Sequence, residues 1–375
     1  YSDGKLYTRK KHQLVRPVYE RLVAFGATER ILTDAHPHIG TNKLYGILEQ
    51  MREHLIERGA EIRFHTCVDE LMIENGSVQG VKLDTGEELM GDPVILASGH
   101  SARELYETLH HQGVTMAPKA FAIGARCEHP QALIDEQQLG RIRDLPDVEP
   151  AEYFLSCQLG SRGLYSFCMC PGGYIIPTPT EPGHLNVNGM SNSNRGGDFA
   201  NAALVVTVEP EDFFLEKPGD LKRHGVLAGL EFQRHWEKKA FEAGGKNYHA
   251  PAQRLTDLVE GKASSSLPSR TSYRPGLVAG DMSDVLPASI VEILRNGLPM
   301  LDRKLRGYLM EEAILVGVET TTSTPVRMVR DEGRQSSGVD GLYPTGEGAG
   351  YSGGIVSSAI EGILSAEAVL RKYYD

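Results

Sequence analysis

The chain has 375 residues, enough for two or three domains or for one large domain with an insertion. Apolar residues make up 40% and charged residues 24%, ordinary globular proportions that exclude a disordered or fibrous chain. The 39 basic and 50 acidic side chains leave a net charge of −11, which repels phosphate backbones and argues against general nucleic-acid binding.

No apolar run reaches the roughly 18 residues that a membrane-spanning helix needs. No basic-then-apolar leader opens the chain. Five cysteines, an odd number, fit a reducing, cytoplasmic setting better than a secreted disulfide framework. The opening Tyr1-Ser2-Asp3-Gly4-Lys5 reads like the interior of a longer protein.

In chain order, the first helix signal is Leu44, Ile47, Leu48, Met51 and Leu55 at helical spacing, with Thr41 or Asn42 as cap and Gly59 as stop. Glu61 to Thr66 alternates like a strand, and Val78–Leu83 and Glu87–Met90 flank an Asp-Thr-Gly turn. Val94 to Ala97 is a short apolar run, the pattern of a strand buried on both faces, ending at Ser98-Gly99. A helix from Ser101 to about His111 follows, with Ser101 as its expected N-cap. From 117 to 325 the pattern is α+β: strands at Phe121–Arg126 and Leu204–Val208, and helices over Asp220–Ala243 and Ser289–Lys304. Strands at Val326–Val329 and Gly341–Pro344, a glycine-rich loop and a helix over Ile355–Tyr373 close the chain.

That loop carries most of the chemical information. Seven glycines fall between 341 and 362, and Gly348-Ala349-Gly350-Tyr351-Ser352-Gly353 matches G-x-G-x-x-G. The second parallel strand and acidic residue of a dinucleotide unit do not follow, so this is not the first βαβ of a Rossmann fold. A glycine loop at a helix N-terminus still favours anions and developing negative charge. The Glu347 carboxylate can accept hydrogen bonds from sugar-alcohol hydroxyls, and a side chain at Gly350 is expected to fill space that a flat ring needs. The strand end Ser98-Gly99 offers a second backbone wall for a flat cofactor.

Strings spread over the chain resemble one known family: Ser2-Asp3-Gly4-Lys5-Leu6, Pro37-His38-Ile39-Gly40-Thr41, Gly99-His100-Ser101-Ala102-Arg103, Phe167-Cys168-Met169-Cys170-Pro171-Gly172-Gly173, Asn188-Gly189-Met190-Ser191, Pro325-Val326-Arg327 and Gly346 through Ile355. The family is that of the FAD-dependent dehydrogenases distantly similar to glutathione-reductase-type flavoproteins. The resemblance implies an α/β fold: a split, glutathione-reductase-like FAD domain over 1–116 and 326–375, carrying an inserted α+β domain over 117–325. It implies FAD as cofactor and NAD(P)H as the candidate electron donor or acceptor. It also implies hydride transfer between a small-molecule substrate and the flavin. The implied cofactor residues are Ser2, Lys5, Val68, Ser98, Gly99, Gly346, Glu347, Gly348, Ala349, Gly350, Tyr351, Gly353, Gly354 and Ile355, with the adenosine end near Cys67-Val68. The family's upstream βαβ unit with its glycine fingerprint is missing from this sequence, and Thr321 stands where relatives tend to have arginine.

Further candidates for direct chemistry remain. His100 is suited to acid–base work, or is structural. Cys168 and Cys170 are either two buried thiols packing a loop or a dithiol exchanging electrons with a flavin. His36 and His38 lack the further ligands a metal site needs, and His38 is expected to make a loop hydrogen bond near the cofactor. Gly350-Tyr351-Ser352-Gly353-Gly354 fits a nucleophile elbow, but no histidine follows Ser352, which removes the triad. Arg327, Arg330 and Arg334 are expected on a solvated face. The competing reading of the whole chain is a binding or scaffold module with an empty cleft.

Overall fold

The computed structural model describes residues 2–8, 11–214 and 222–374. Two short helices, α1 (Val15–Ala24) and α2 (Thr41–Glu57), precede a three-stranded antiparallel meander of β1 (Val68–Glu74), β2 (Ser77–Leu83) and β3 (Glu88–Met90). Then come β4 (Val94–Leu96) and α3 (Arg103–His111). The last segment supplies β14 (Val326–Met328), β15 (Leu342–Pro344) and the terminal helix α8 (Ile355–Tyr373).

β15 pairs in parallel with β4, Tyr343 opposite Ile95, and β14 pairs antiparallel with β5 (Met116–Pro118). The start and the end of the chain therefore build one α/β body. Its core is Leu71, Val78, Tyr106, Leu109, Val114, Leu230, Val326, Met328, Val339 and Leu342. A neighbouring core joins Leu6, Val18, Leu22, Ile31, Ile39 and Ile47 to Val356 and Ile360, so α8 buries the face that its spacing predicts.

Between these parts lies a large mixed sheet. It contains β6 (Phe121–Pro130), β7 (Ser156–Leu159), β8 (Arg162–Pro177), β9 (Val187–Met190), β10 (Phe199–Val208), β11 (Ala250–Arg254), β12 (Leu277–Ala279) and β13 (Ile314–Glu319). The strand order is β12-β11-β13-β6-β10-β8-β7, with β9 on β8. α4 (Gln131–Leu139), α5 (Ala228–Ala243), α6 (Leu255–Glu260) and α7 (Ala288–Lys304) pack around it. Among the described residues, no helix is long and apolar enough to cross a membrane.

Several local expectations change. Glu61–Thr66 is irregular, with Phe64 63% exposed, because alternation makes a strand only beside a partner and none pairs here among the described residues. Ile95 in β4 is 41% exposed, so this strand is not buried on both faces. In α2, Ile47 is buried but Leu48 and Leu55 face solvent. Gly40 occupies its N-cap, while Thr41 donates to Ser2 O at 3.0 Å and Asn42 Oδ1 accepts from Ser193 N at 2.9 Å. The N-cap of α3 is Ala102 rather than Ser101, and no side chain caps it. The predicted helix start at Asp220 lies outside the described residues; α5 begins at Ala228.

Candidate functional site

The parallel pairing of β4 with β15 sets two loops side by side at their carboxyl ends. Thr345 N donates to Leu96 O at 2.9 Å, extending the pairing. A Cβ at Gly348 would lie 2.4 Å from Gly99 O, so the loops meet backbone to backbone and residue 348 has no room for a side chain. Tyr106 of α3, fully buried, donates to Gly348 O at 2.6 Å. Burial pushes its phenol up to about 12, so it stays a protonated donor. His100 Nδ1 lies 3.3 Å from Glu347 Oε1, and both side chains are about one-quarter exposed. Ser98, Gly99, His100, Gly346, Glu347 and Gly348 thus come together as one rim, and Ala349 is buried behind it.

The glycines of this rim divide into two kinds. At Gly99, Gly346, Gly353 and Gly354 a Cβ would meet nothing within 4 Å. Gly354 caps α8 with no side chain, and the first N–H groups of a helix lack intrahelical partners. Gly350 is different. Its φ is +86°, and a Cβ there would lie 2.7 Å from Val326 O and 3.0 Å from Arg327 Cα. The expectation that Gly350 leaves space for a ring is corrected: its bareness lets the loop lie on β14. Tyr351 donates to Met328 O at 3.1 Å, under the Arg330 guanidinium at 3.6 Å from the ring centre. Arg330 and Arg334 both bind Glu361, and the Arg330 side chain is 8% exposed. These two arginines brace the loop against α8 instead of forming a solvated face; Arg327 is exposed.

A second cluster forms around the cysteine pair. Between Asn201↔Cys170 and Ala203↔Phe167 the register of β8 on β10 slips, a bulge that takes Cys168 to φ +47°. A left-handed non-glycine residue is strained, and such strain collects at functional sites. The bulge turns both sulfurs toward Lys5, whose ammonium is 3.2 Å from Cys170 Sγ and 3.6 Å from Cys168 Sγ. Asp3 Oδ2 lies 3.0 Å from the same ammonium and 3.3 Å from His38 Nε2. Asp3 Oδ1 accepts from Ser191 N at 2.5 Å and Ser191 Oγ at 2.8 Å.

On the other side, Arg126 is fully buried. It binds Glu319 through Nε at 2.5 Å and Nη2 at 3.0 Å, and donates to Cys168 O at 2.8 Å. The hydrogen bond from the Cys170 thiol holds Cys168 well below the usual thiol range; burial opposes this, and Lys5 and Arg126 add to it. Burial pushes Cys170 up. Burial would lower the Lys5 ammonium, but the two sulfurs and Asp3 raise it.

Of the other sequence-predicted residues, Ser2 Oγ accepts from Gly4 N at 3.2 Å. Ile355 opens α8, and Val68 opens β1 opposite Leu83, in the meander rather than at the end of the expected 61–66 strand. Leu6, next to Lys5, shares a core with Val356 and Ile360, which sets the cysteine cluster's lysine segment beside the start of α8. Sequence reasoning missed Asp3, Tyr106, Arg126 and Glu319 as parts of these clusters. Their partners lie far along the chain, and only the charges of Arg126 and Glu319 inside apolar strands hinted at a buried pair.

The chain belongs to the family described as FAD-dependent protein, C-terminal domain-like, whose model matches residues 120–322. An uncharacterized protein of Clostridium beijerinckii is 42% identical over 376 residues, which cover 100% of this chain and 69% of that protein. A 4,4'-diapophytoene desaturase (4,4'-diapolycopene-forming) of Methylomonas sp is 39% identical over 61 residues, 16% of this chain and 11% of that enzyme. Among solved structures, an oxidoreductase from Methanosarcina mazei matches 87% of this chain and 54% of its own at 14% identity and a TM-score of 0.31. A flavocytochrome c3 fumarate reductase in its open conformation matches 95% and 62% at 10% identity and a TM-score of 0.36. The chain therefore spans little more than half the length of these structures.

Proposed function

We propose that this chain forms the larger part of an FAD-dependent oxidoreductase, and that the 98–100 and 346–354 rim seats the flavin. Four glycines on that rim, each opening onto empty space, carry the proposal; membership of an FAD-dependent family supports it. Bare backbone at a helix N-terminus is what a flat ring with a negatively charging edge requires. When bound, the flavin supplies the hydride chemistry between an unidentified small substrate and an electron partner of the NAD(P)H class. The chain's own part is to position and to handle protons. Tyr106 fixes the Gly348 carbonyl, and Glu347 orients His100 through Nδ1, leaving Nε2 as the nitrogen that exchanges a proton with substrate.

The proposed architecture is a split FAD domain over 1–116 and 326–375 with a substrate-binding insertion over 117–325, in a cytoplasmic protein. The parallel pairing of β4 with β15, which joins the two ends of the chain, favours it.

Gly353→Val tests the seat. Its side chain enters open space, so the fold is expected to survive, while the intact protein loses most of its bound flavin. A folded Gly353→Val protein that keeps a full equivalent of flavin removes the seat from this rim and favours the scaffold reading.

A further inference from the structure

The cysteine cluster is not explained by seating a flavin. Two thiols two residues apart share one ammonium, and that ammonium lies against a buried aspartate which Ser191 fixes in turn. Packing alone does not require this. A pair of thiols that merely filled a core would need no cation, and a lysine brought to them loses hydration and rotamer freedom. The strand bulge at Cys168 adds backbone strain to the same point. The other three cysteines lack these features: Cys127 and Cys157 are buried without a cation in contact, and Cys67 is exposed on a loop.

We propose that Cys168, Cys170 and Lys5 form a thiolate–ammonium site that reduces a small disulfide, with Cys168 as the attacking sulfur and Cys170 as the resolving one. Cys168 is the less buried of the two, which makes it the attacking sulfur, whereas Cys170 is buried and meets only what Cys168 has captured.

In the first step the Cys168 thiolate attacks one sulfur of the substrate. The substrate S–S bond breaks, a mixed disulfide forms, and the other half leaves and takes the Cys170 proton. In the second step the Cys170 thiolate attacks Cys168, releasing the remaining half as a thiolate. One substrate disulfide is reduced by two electrons, and the cysteine pair is oxidised to a disulfide. Charge is conserved: one thiolate enters and one leaves. A disulfide across a single intervening residue is strained and therefore oxidising, so excess substrate disulfide is what drives the pair to it. Lys5 stabilises the thiolate at each stage. Asp3, held by Ser191, is a positioning residue for Lys5, and Arg126, paired with Glu319, holds the Cys168 carbonyl.

The site is tested on the intact protein by the reactivity of its cysteines, a readout independent of flavin content, so its failure is separate from failure of the flavin seat. Iodoacetamide is applied at pH 6.5 and each cysteine is followed by peptide mass mapping, with exposed Cys67 as internal reference. The expected result is alkylation of Cys168 at least ~10-fold faster than Cys67, because only the thiolate reacts. Lys5→Met is expected to erase that lead and Lys5→Arg to keep most of it. Excess 2-hydroxyethyl disulfide is then expected to leave an internal Cys168–Cys170 disulfide, and Cys170→Ser to stop at the mixed disulfide on Cys168. Cys67 reacting first in the unaltered protein overturns the proposal, and so does a failure of the disulfide to oxidise the pair.

Discussion

Replacing Arg126 with methionine tests a fully buried charge. The guanidinium makes two bonds to Glu319, at 2.5 and 3.0 Å, one to Cys168 O at 2.8 Å, one to Asn188 Oδ1 at 2.7 Å and one to Asn201 Oδ1 at 3.2 Å. Methionine fills much of the volume and removes every donor. Burial already raises Glu319 to about 7 beside Arg126, so without the guanidinium it must take up a proton and is left with no donor, a loss of about 3–5 kcal/mol in comparable cases. The cost comes from the orphaned partner, so it is not additive. Glu319→Leu alone should lose a similar amount, and the double variant should recover at least half of the sum. Urea unfolding at neutral pH measures all three. A loss below about 1 kcal/mol for Arg126→Met, or strict additivity in the cycle, refutes the argument.

Two further predictions concern stability. His129 is fully buried with Nε2 2.7 Å from Tyr308 O, and burial lowers its pKa from 6.5 to about 4. Below pH 6.5 the unfolded chain takes a proton that the folded chain refuses until about pH 4, so this contribution is complete above pH 6.5 and is lost as pH falls. Between pH 7 and pH 5 the protein should lose about 2 kcal/mol more than a His129→Gln variant does; parallel profiles refute the assignment. Gly350→Ala should lower the melting temperature measurably, since φ +86° and a 2.7 Å approach to Val326 O both oppose a Cβ, whereas Gly353→Ala should leave it nearly unchanged. Equal melting temperatures for the two would contradict the division of the glycines.

What the sequence made legible follows from how local each signal is. The helix over Ile355–Tyr373 was readable to the residue, because its apolar spacing and the preceding glycines are both local. The cysteine pair and the glycine loop were visible as strings. Their partners were not: Lys5 lies 163 residues from Cys168, and Tyr106 lies 242 from Gly348. Alternation at 61–66 misled because pattern alone cannot say whether a neighbouring strand exists. Ser101 and Thr41 misled because capping depends on backbone geometry that composition does not fix. Arg330 looked like a surface charge, since nothing near it in sequence announced Glu361 across the loop.

The central claim is that the 98–100 and 346–354 rim belongs to a working flavoprotein. The most direct measurement is the visible absorption spectrum of the purified intact protein, with the cofactor then released by denaturation and identified by chromatography. The account predicts flavin bands and close to one equivalent of FAD per chain. A folded, colourless protein that stays so after incubation with excess FAD would contradict it.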